Sequence, residues 1–404
     1  MALTENLYIA RQPIYNRNLK VIGYELLYRN SNVDRAIFSD GDLASGQTIL
    51  NSFLHIGIDN LTGSARVFIN LPEQFITSES LTPMFRENCV LEVVESVAPT
   101  EDVIAGVKRL KKMGFKIALD DFEYDDSVLP LAELADYIKV DVLDKDRQQL
   151  GREVERLQNL PARLVAEKVE TQEMKQLCHD LGFDYFQGHF FCRPQTLTHR
   201  TIAANKGVVF NLMARLQRDD ICLHEVERLL AQDVALSYKL LRYINSAAFT
   251  LRREIESIRD AVVLLGLDNV RNWLTLIVMT RLDDNKPREL IVIAMTRARM
   301  CELLARESAP ELSRQMFIIG LFSVLDALMD QPMIELLDNL ILSTPIKLAL
   351  LEHSGEQGQL LESVLAYERM DPERLAQSGL EPQTISSAYI EAVKWADQSL
   401  SLLT

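Results

Sequence analysis

No apolar run in this 404-residue chain approaches the roughly 20 residues a helix needs to cross a bilayer, which excludes a membrane-spanning anchor. The opening residues, Met1-Ala-Leu-Thr-Glu-Asn6, carry no basic segment followed by an apolar one, so no export signal is expected and the cytoplasm is the expected location. Cysteine is sparse as well. Cys89, Cys178, Cys192, Cys222 and Cys301 lie far apart without Cys-x-x-Cys spacing, which excludes a disulfide framework and fits reduced thiols. Positive charge is in deficit: the net charge is −15, with 22 basic against 30 acidic residues through position 200 and 21 against 28 after it. Either half would repel a phosphate backbone, so a nucleic-acid polymer is excluded as partner, and no membrane partner is expected.

What is present is the makeup of a globular protein, 48% apolar and 25% charged. The length exceeds one ordinary core, so two domains are expected, residues 1–200 and 201–404. In the first, strand-like runs at 7–10 and 21–24 flank an Asn-rich turn, Tyr15 to Lys20. Asp42 to Ile58 has helical spacing. Strands at 66–70, 89–93, 115–120, 137–140, 163–167 and 183–187 then alternate with helices, including a Pro72-initiated turn, Thr100–Met113, 146–158 and Thr171–Leu181. Gly114 and Gly182 stand where helices stop. Such alternation predicts a parallel sheet with helical crossovers.

The strand ends carry the chemistry. Lys116-Ile-Ala-Leu-Asp-Asp-Phe122 reads as a short buried strand delivering Asp120 and Asp121 at its carboxyl edge. Two adjacent anions are tolerated if solvated, if one is protonated, or if a cation sits between them. Other runs end alike: Val67-Phe-Ile on Asn70, Val90-Leu on Glu92, Tyr137-Ile on Lys139, Leu164-Val-Ala on Glu167. Polar residues at successive strand ends describe the upper face of a (β/α) barrel. Glu25, flanked by apolar residues, is half buried or aimed at a positive group such as Arg29, and Gln187 closes the series. Oxygen donors of this number suit Mg²⁺ or Mn²⁺, not zinc, and such ions activate a water against a phosphodiester. His55 and His179 lie in predicted helices, where a structural role is the simpler reading.

Residues 7–197 resemble the EAL domain, the family of cyclic-di-GMP phosphodiesterases. Gln12-Pro-Ile, Gly23-Tyr-Glu-Leu-Leu-Tyr-Arg29, Phe68-Ile-Asn-Leu71, Leu91-Glu-Val-Val-Glu95, Asp120-Asp-Phe122, Ile138-Lys-Val-Asp141, Ala166-Glu-Lys-Val-Glu-Thr171 and Gln187-Gly-His-Phe-Phe191 follow its order and spacing. The resemblance implies a (β/α)8 TIM-like barrel with one reversed strand. It implies one metal on Glu25, Asn70, Glu92 and Asp120, and a second approached by Asp120, Asp121 and Gln187. Lys139 and Glu167 would prepare the water. Gln12, Arg29 and Asp141 would meet substrate, Arg29 at a phosphate and Gln12 near a base. Four departures stand out: Leu26 for Ala, Val94 for Thr, and Glu123 and Lys168 each for Gly. The loop from Asp120 to Lys139 is also shorter than usual. Glu and Lys adopt glycine's backbone angles only at a cost. Either Glu123 and Lys168 pair across the cleft, or Lys168 substitutes for a metal charge.

Beyond Thr201 the pattern turns helical, through 208–216, 223–232, 235–245, 258–265, 270–282, 288–307 and 313–330, with Gly266 as a stop. Asp233 to Phe249 and Ile258 to Asp268 resemble the HDOD domain, an all-helical relative of HD phosphohydrolases. Only His224 and His353 remain after residue 200, and Ser323-Val324 stands where the relatives' His-Asp pair would be, so no hydrolytic metal site is expected there. The expected role is binding an unidentified signalling protein, with Trp273 and Leu274–Met279 as either contact face or core helix. The reading is a barrel followed by an all-helical output domain that hydrolyses or binds cyclic-di-GMP. Its rival is a catalytically degenerate adaptor; whether the chain forms a homodimer is open.

Overall fold

The computed structural model describes residues 7–30, 61–78, 88–190 and 266–403, apart from 64, 123, 124, 189, 280–286, 339 and 341, plus isolated positions between 213 and 226 and at 260. The helices expected at 42–58, 235–245 and 258–265, most of those at 208–216 and 223–232, and the side chain of Arg29 lie outside them. The chain divides into two compact units, Met1–Phe191 and Cys192–Thr404.

Eight strands close the first unit into a barrel: β1 (Leu7–Asn16), β2 (Val21–Asn30), β3 (Arg66–Leu71), β4 (Cys89–Val93), β5 (Lys116–Leu119), β6 (Tyr137–Asp141), β7 (Arg163–Glu167) and β8 (Tyr185–Gln187). β1 runs antiparallel to both β2 and β8, and every other pair is parallel. The reversed strand follows from the tight turn after Asn16, whose Oδ1 accepts from the amides of Asn18 and Lys20, so β2 returns directly alongside β1. The hairpin strands are longer than the sequence suggested, ten residues each, because pairing continues past the apolar runs.

Helices follow the later strands where local chemistry starts and stops them. The Thr100 side chain caps α2 (Glu101–Lys112), which follows the short α1 (Glu73–Thr77). After α3 (Leu129–Ala132), Asp146 and Gln149 form a reciprocal capping box on α4 (Arg147–Leu157). Thr171 caps α5 (Gln172–Leu181), and Gly182 ends it at φ 107°, a left-handed angle glycine adopts without strain.

Side chains alternate across a strand, so residues two apart share a face. Ile14, Phe68, Val90, Ala118, Tyr137 and Val165 pack together as an apolar plug inside the barrel, the Tyr137 hydroxyl accepting from Arg66 at 2.9 Å. Two residues further toward the rim on the same strands stand Gln12, Asn70, Glu92, Asp120, Lys139 and Glu167. The period of two thus stacks one polar layer directly on one apolar layer. Gly23 completes the plug by absence: a Cβ there would stand 2.9 Å from the Phe68 ring.

Among the described residues every element of the second unit is helical. Within Leu267–Met279, Leu274 and Leu276–Met279 are buried in the core, and the side chain of Trp273 lies outside the described residues. Arg288–Ser308, 21 residues long, is buried along much of its length and packs against Ser313–Phe322 and Pro382–Leu403. The single helix expected over 313–330 is two, Ser313–Phe322 and Leu325–Met329, broken where Val324 takes φ −120° and ψ 14°. Apolar spacing runs on through the break, which is why periodicity alone missed it.

Candidate active site at the barrel rim

The polar layer converges on one ammonium. Lys139 Nζ, on β6, lies 2.7 Å from Asp120, 2.8 Å from Glu167, 3.0 Å from Glu92 and 3.1 Å from Glu25. Gln187 Nε2 donates to Glu25 at 2.6 Å and to Gln12 at 2.9 Å, and Asn70 Nδ2 donates to Glu25 at 3.4 Å. Eight of the residues singled out from the sequence therefore meet: Gln12, Glu25, Asn70, Glu92, Asp120, Lys139, Glu167 and Gln187. Backbone bonds hold the rim in register beyond the strands: Asp120 N donates to Val93 O, Phe122 N to Lys139 O, and Val169 N to Gln187 O.

Four carboxylates face one cation in a largely buried space, with only Asp120 reaching an adjoining cavity, and the charge does not balance. Burial pushes the Glu92 carboxyl well above its ordinary range, and the Glu25 charge adds to this. Burial likewise raises Glu167, to about 8, although Lys139 opposes it. Burial alone would pull Lys139 down, but the charges of Glu167, Glu25, Glu92 and Asp120 outweigh it and raise it well above the usual lysine value. The Glu92–Lys139 contact at 3.0 Å is an ion pair without hydrogen-bond alignment, since neither Glu92 oxygen accepts a hydrogen bond. Gln187 Oε1 is also buried without one. Buried oxygens facing uncompensated negative charge are a hard-cation donor set. As the side chains stand, no group of three or more His, Cys, Asp or Glu among the described residues is arranged to hold a metal ion, the Lys139 ammonium standing at the point of convergence.

Asp121 and Asp141 turn away from this cluster. Asp121 has φ 41°, which rotates it off the line of Asp120. Lys168, which follows Glu167 at the end of β7, sets its ammonium 2.5 Å from Asp141 Oδ2 and 3.3 Å from Asp121 Oδ1. Asp141 Oδ1 accepts from the Leu143 amide. Lys168 thus meets two aspartates, while Glu123, its other expected partner, lies outside the described residues. Beside these residues opens a cavity of about 780 Å³, lined by Glu95, Ser96, Pro99, Asp120, Asp121 and Lys145 among others. Glu95, Ser96 and Lys145 were not singled out from the sequence, although residues 94–99 directly follow β4, where barrel sites are built.

In the helical unit the Ser323-Val324 position carries a different polar group. Ser323 Oγ accepts from Arg297 at 3.1 Å, and Arg297 contacts both oxygens of Glu368, the nearest at 2.7 Å. His224 is exposed. No helix among the described residues is long and apolar enough to cross a membrane.

Comparison with known proteins agrees with both halves. The EAL domain model matches residues 2–194 and the HDOD domain model residues 202–334. The chain is 34% identical to the cyclic di-GMP phosphodiesterase CdgJ of Vibrio cholerae over 96% of its own length and 92% of the relative's. It is 33% identical to the uncharacterized protein YuxH of Bacillus subtilis, over 96% and 97%. Solved EAL structures are also similar, among them a standalone EAL protein of Vibrio cholerae O395 in a c-di-GMP-bound form, at 22% identity over 46% of this chain and 92% of that one, with a TM-score of 0.40. The chain belongs to the cyclic-di-GMP phosphodiesterase family of signalling proteins that carry an EAL barrel followed by a helical HDOD domain.

Proposed function

We propose that the barrel hydrolyses cyclic-di-GMP to the linear dinucleotide with a divalent cation, Mg²⁺ or Mn²⁺, held by Glu25, Asn70, Glu92 and Asp120, with Gln187 bracing Glu25. The observation that carries this reading is the buried carboxylate cluster around Lys139, with both Glu92 oxygens lacking a hydrogen bond. The cation would supply the positive charge that a phosphodiester and its attacking water require. Glu167 accepts the water's proton once it is ionised, so a carboxyl raised to about 8 makes a base whose active fraction grows as pH rises toward that value. Lys139 steadies the charge that develops on the phosphoryl oxygens. The water oxygen bonds to phosphorus, one ring phosphorus–oxygen bond breaks, and the released sugar oxygen takes a proton from solvent. Arg29 grips a phosphate, and Gln12, tied to Gln187, borders the base.

The helical unit takes the output role by binding a protein partner. Its Ser323 and Val324 stand where the HD relatives would carry their His-Asp pair, and Ser323 accepts from Arg297 instead, which favours contact over chemistry. A second reading, nucleotide binding or scaffolding without turnover, is favoured by Lys168 seated on Asp121 and Asp141. Incubation of the full chain with cyclic-di-GMP and Mn²⁺, beside Glu25→Ala, separates them. Linear product lost on substitution supports the hydrolase, tight binding without product leaves a sensor, and neither leaves an adaptor.

A further inference from the structure

We infer that Lys168 is a built-in cation that takes the place of a second divalent ion, so that the barrel works with one metal ion per chain. The inference rests on the hydrolase reading above and deepens it. Phosphodiester hydrolysis at paired carboxylate sites ordinarily uses two ions about 4 Å apart, each holding its own oxygens. Asp120 and Asp121 are neighbours in the chain and divide between two cations here. Asp120 meets Lys139 within the buried cluster, whereas Asp121 meets Lys168 in the half-exposed rim.

The two groups of oxygens differ in what they lack. In the buried cluster, Glu92 is fully buried and neither of its oxygens accepts a hydrogen bond, so that position still calls for positive charge. At the rim, the Lys168 ammonium reaches both oxygens of Asp121, at 3.3 and 3.4 Å, and Asp141 at 2.5 Å, so that demand is already met. The backbone is committed to the arrangement. Lys168 has φ 54° and Asp121 φ 41°, left-handed angles that side-chain-bearing residues seldom hold unless neighbouring contacts enforce them. The angle at Lys168 aims its stem back across the rim toward β5 and β6, where its two aspartates lie. A tethered single charge replaces a diffusible double one: it cannot be lost to chelation, and it gives the phosphate less compensation.

The test is Mn²⁺ titration of the full chain by calorimetry, with electron paramagnetic resonance of the bound ions. The native chain is expected to take one Mn²⁺ without a manganese–manganese coupling signal. Lys168→Gly relieves the left-handed angle and frees Asp121 and Asp141; it is expected to take two ions, show the coupling signal, and change the Mn²⁺ dependence of hydrolysis from one-ion to two-ion. Lys168→Met removes only the charge, and is expected to gain the second ion more weakly. Two ions in the native chain, or one in both native and Lys168→Gly proteins, overturns the inference and leaves the hydrolase standing. No ion in any of the three overturns the metal-dependent hydrolase and the inference with it.

Discussion

Each half of this protein buries a cation against carboxylate, and the two do so in opposite ways. In the helical unit, Arg297 pairs with both oxygens of Glu368 and gives a further donor to Ser323, so in that contact one cation faces one carboxylate. In the barrel, Lys139 serves four carboxylates at once and leaves the Glu92 oxygens without hydrogen bonds. A balanced pair is an internal brace. An unbalanced cluster is costly in the low-dielectric interior unless something of opposite charge joins it, which marks a place for a ligand.

Deleting the cation on each side gives the largest contrast. Lys139→Met leaves four carboxylates facing one another and should cost about 3–5 kcal/mol of stability, with hydrolysis falling roughly 10²–10³-fold. Arg297→Met strands Glu368 and should cost a similar 3–5 kcal/mol without touching the barrel chemistry. The two diverge when Mn²⁺ is added. A divalent ion that binds only the folded cluster restores stability to the Lys139→Met protein by mass action, and does nothing for Arg297→Met. Thermal unfolding with and without Mn²⁺ reads both, and equal rescue of the two variants would erase the distinction.

Much of this was legible in the sequence because strand geometry is regular. A period of two, with polar residues closing apolar runs, was enough to bring Asn70, Glu92, Asp120, Lys139 and Glu167 together, since a parallel barrel aligns its carboxyl ends. Thr100, Thr171 and Gly182 bounded their helices through local hydrogen bonding alone. What escaped depended on angles or on distant partners. The parting of Asp120 from Asp121 lies in one left-handed residue, and Lys168 was visible as a glycine replacement without its contacts being fixed. Arg297 and Glu368 are 71 residues apart on helices whose spacing says nothing of which faces meet. The break at Ser323-Val324 hid beneath continuous apolar periodicity.

The imbalance in the barrel should also appear as a pH effect. Glu167 has a folded value raised to about 8 from an ordinary 4.5, so the folded state holds a proton there that the unfolded chain has released. Its contribution to stability is full below about 4.5 and is lost as pH rises through about 8, on the order of a few kcal/mol. Metal-free protein should therefore melt at lower temperature as pH rises across that window, and Glu167→Gln should flatten the dependence. A slope unchanged by that substitution would remove Glu167 as its source.

The apolar plug beneath the cluster offers a gentler perturbation. In Gly23→Ala the new Cβ would stand 2.9 Å from the Phe68 ring and from the Arg66 carbonyl oxygen, so Phe68 must shift. Overpacking of this kind costs about 1–3 kcal/mol. Because Asn70 stands two residues beyond Phe68 on β3, Mn²⁺ affinity should fall with stability, which calorimetry would register. The same stability loss with affinity intact would show that the two layers are not coupled.

The smallest effect is expected where both members of the balanced pair are replaced. Arg297→Met with Glu368→Leu removes a charge and its counter-charge together, and the two sites share one contact, so their separate costs do not add. Apolar groups of similar size in place of a buried ion pair leave stability within about 1 kcal/mol or raise it, against about 3–5 kcal/mol for Arg297→Met alone. No matching repair exists in the barrel: Lys139→Met with Glu167→Gln still leaves Glu25, Glu92 and Asp120 without their ammonium. Denaturant unfolding of the native protein with both single and the double replacements on each side measures the coupling. A double replacement that rescues the barrel as fully as the helical unit would mean that its cluster, too, is only a brace.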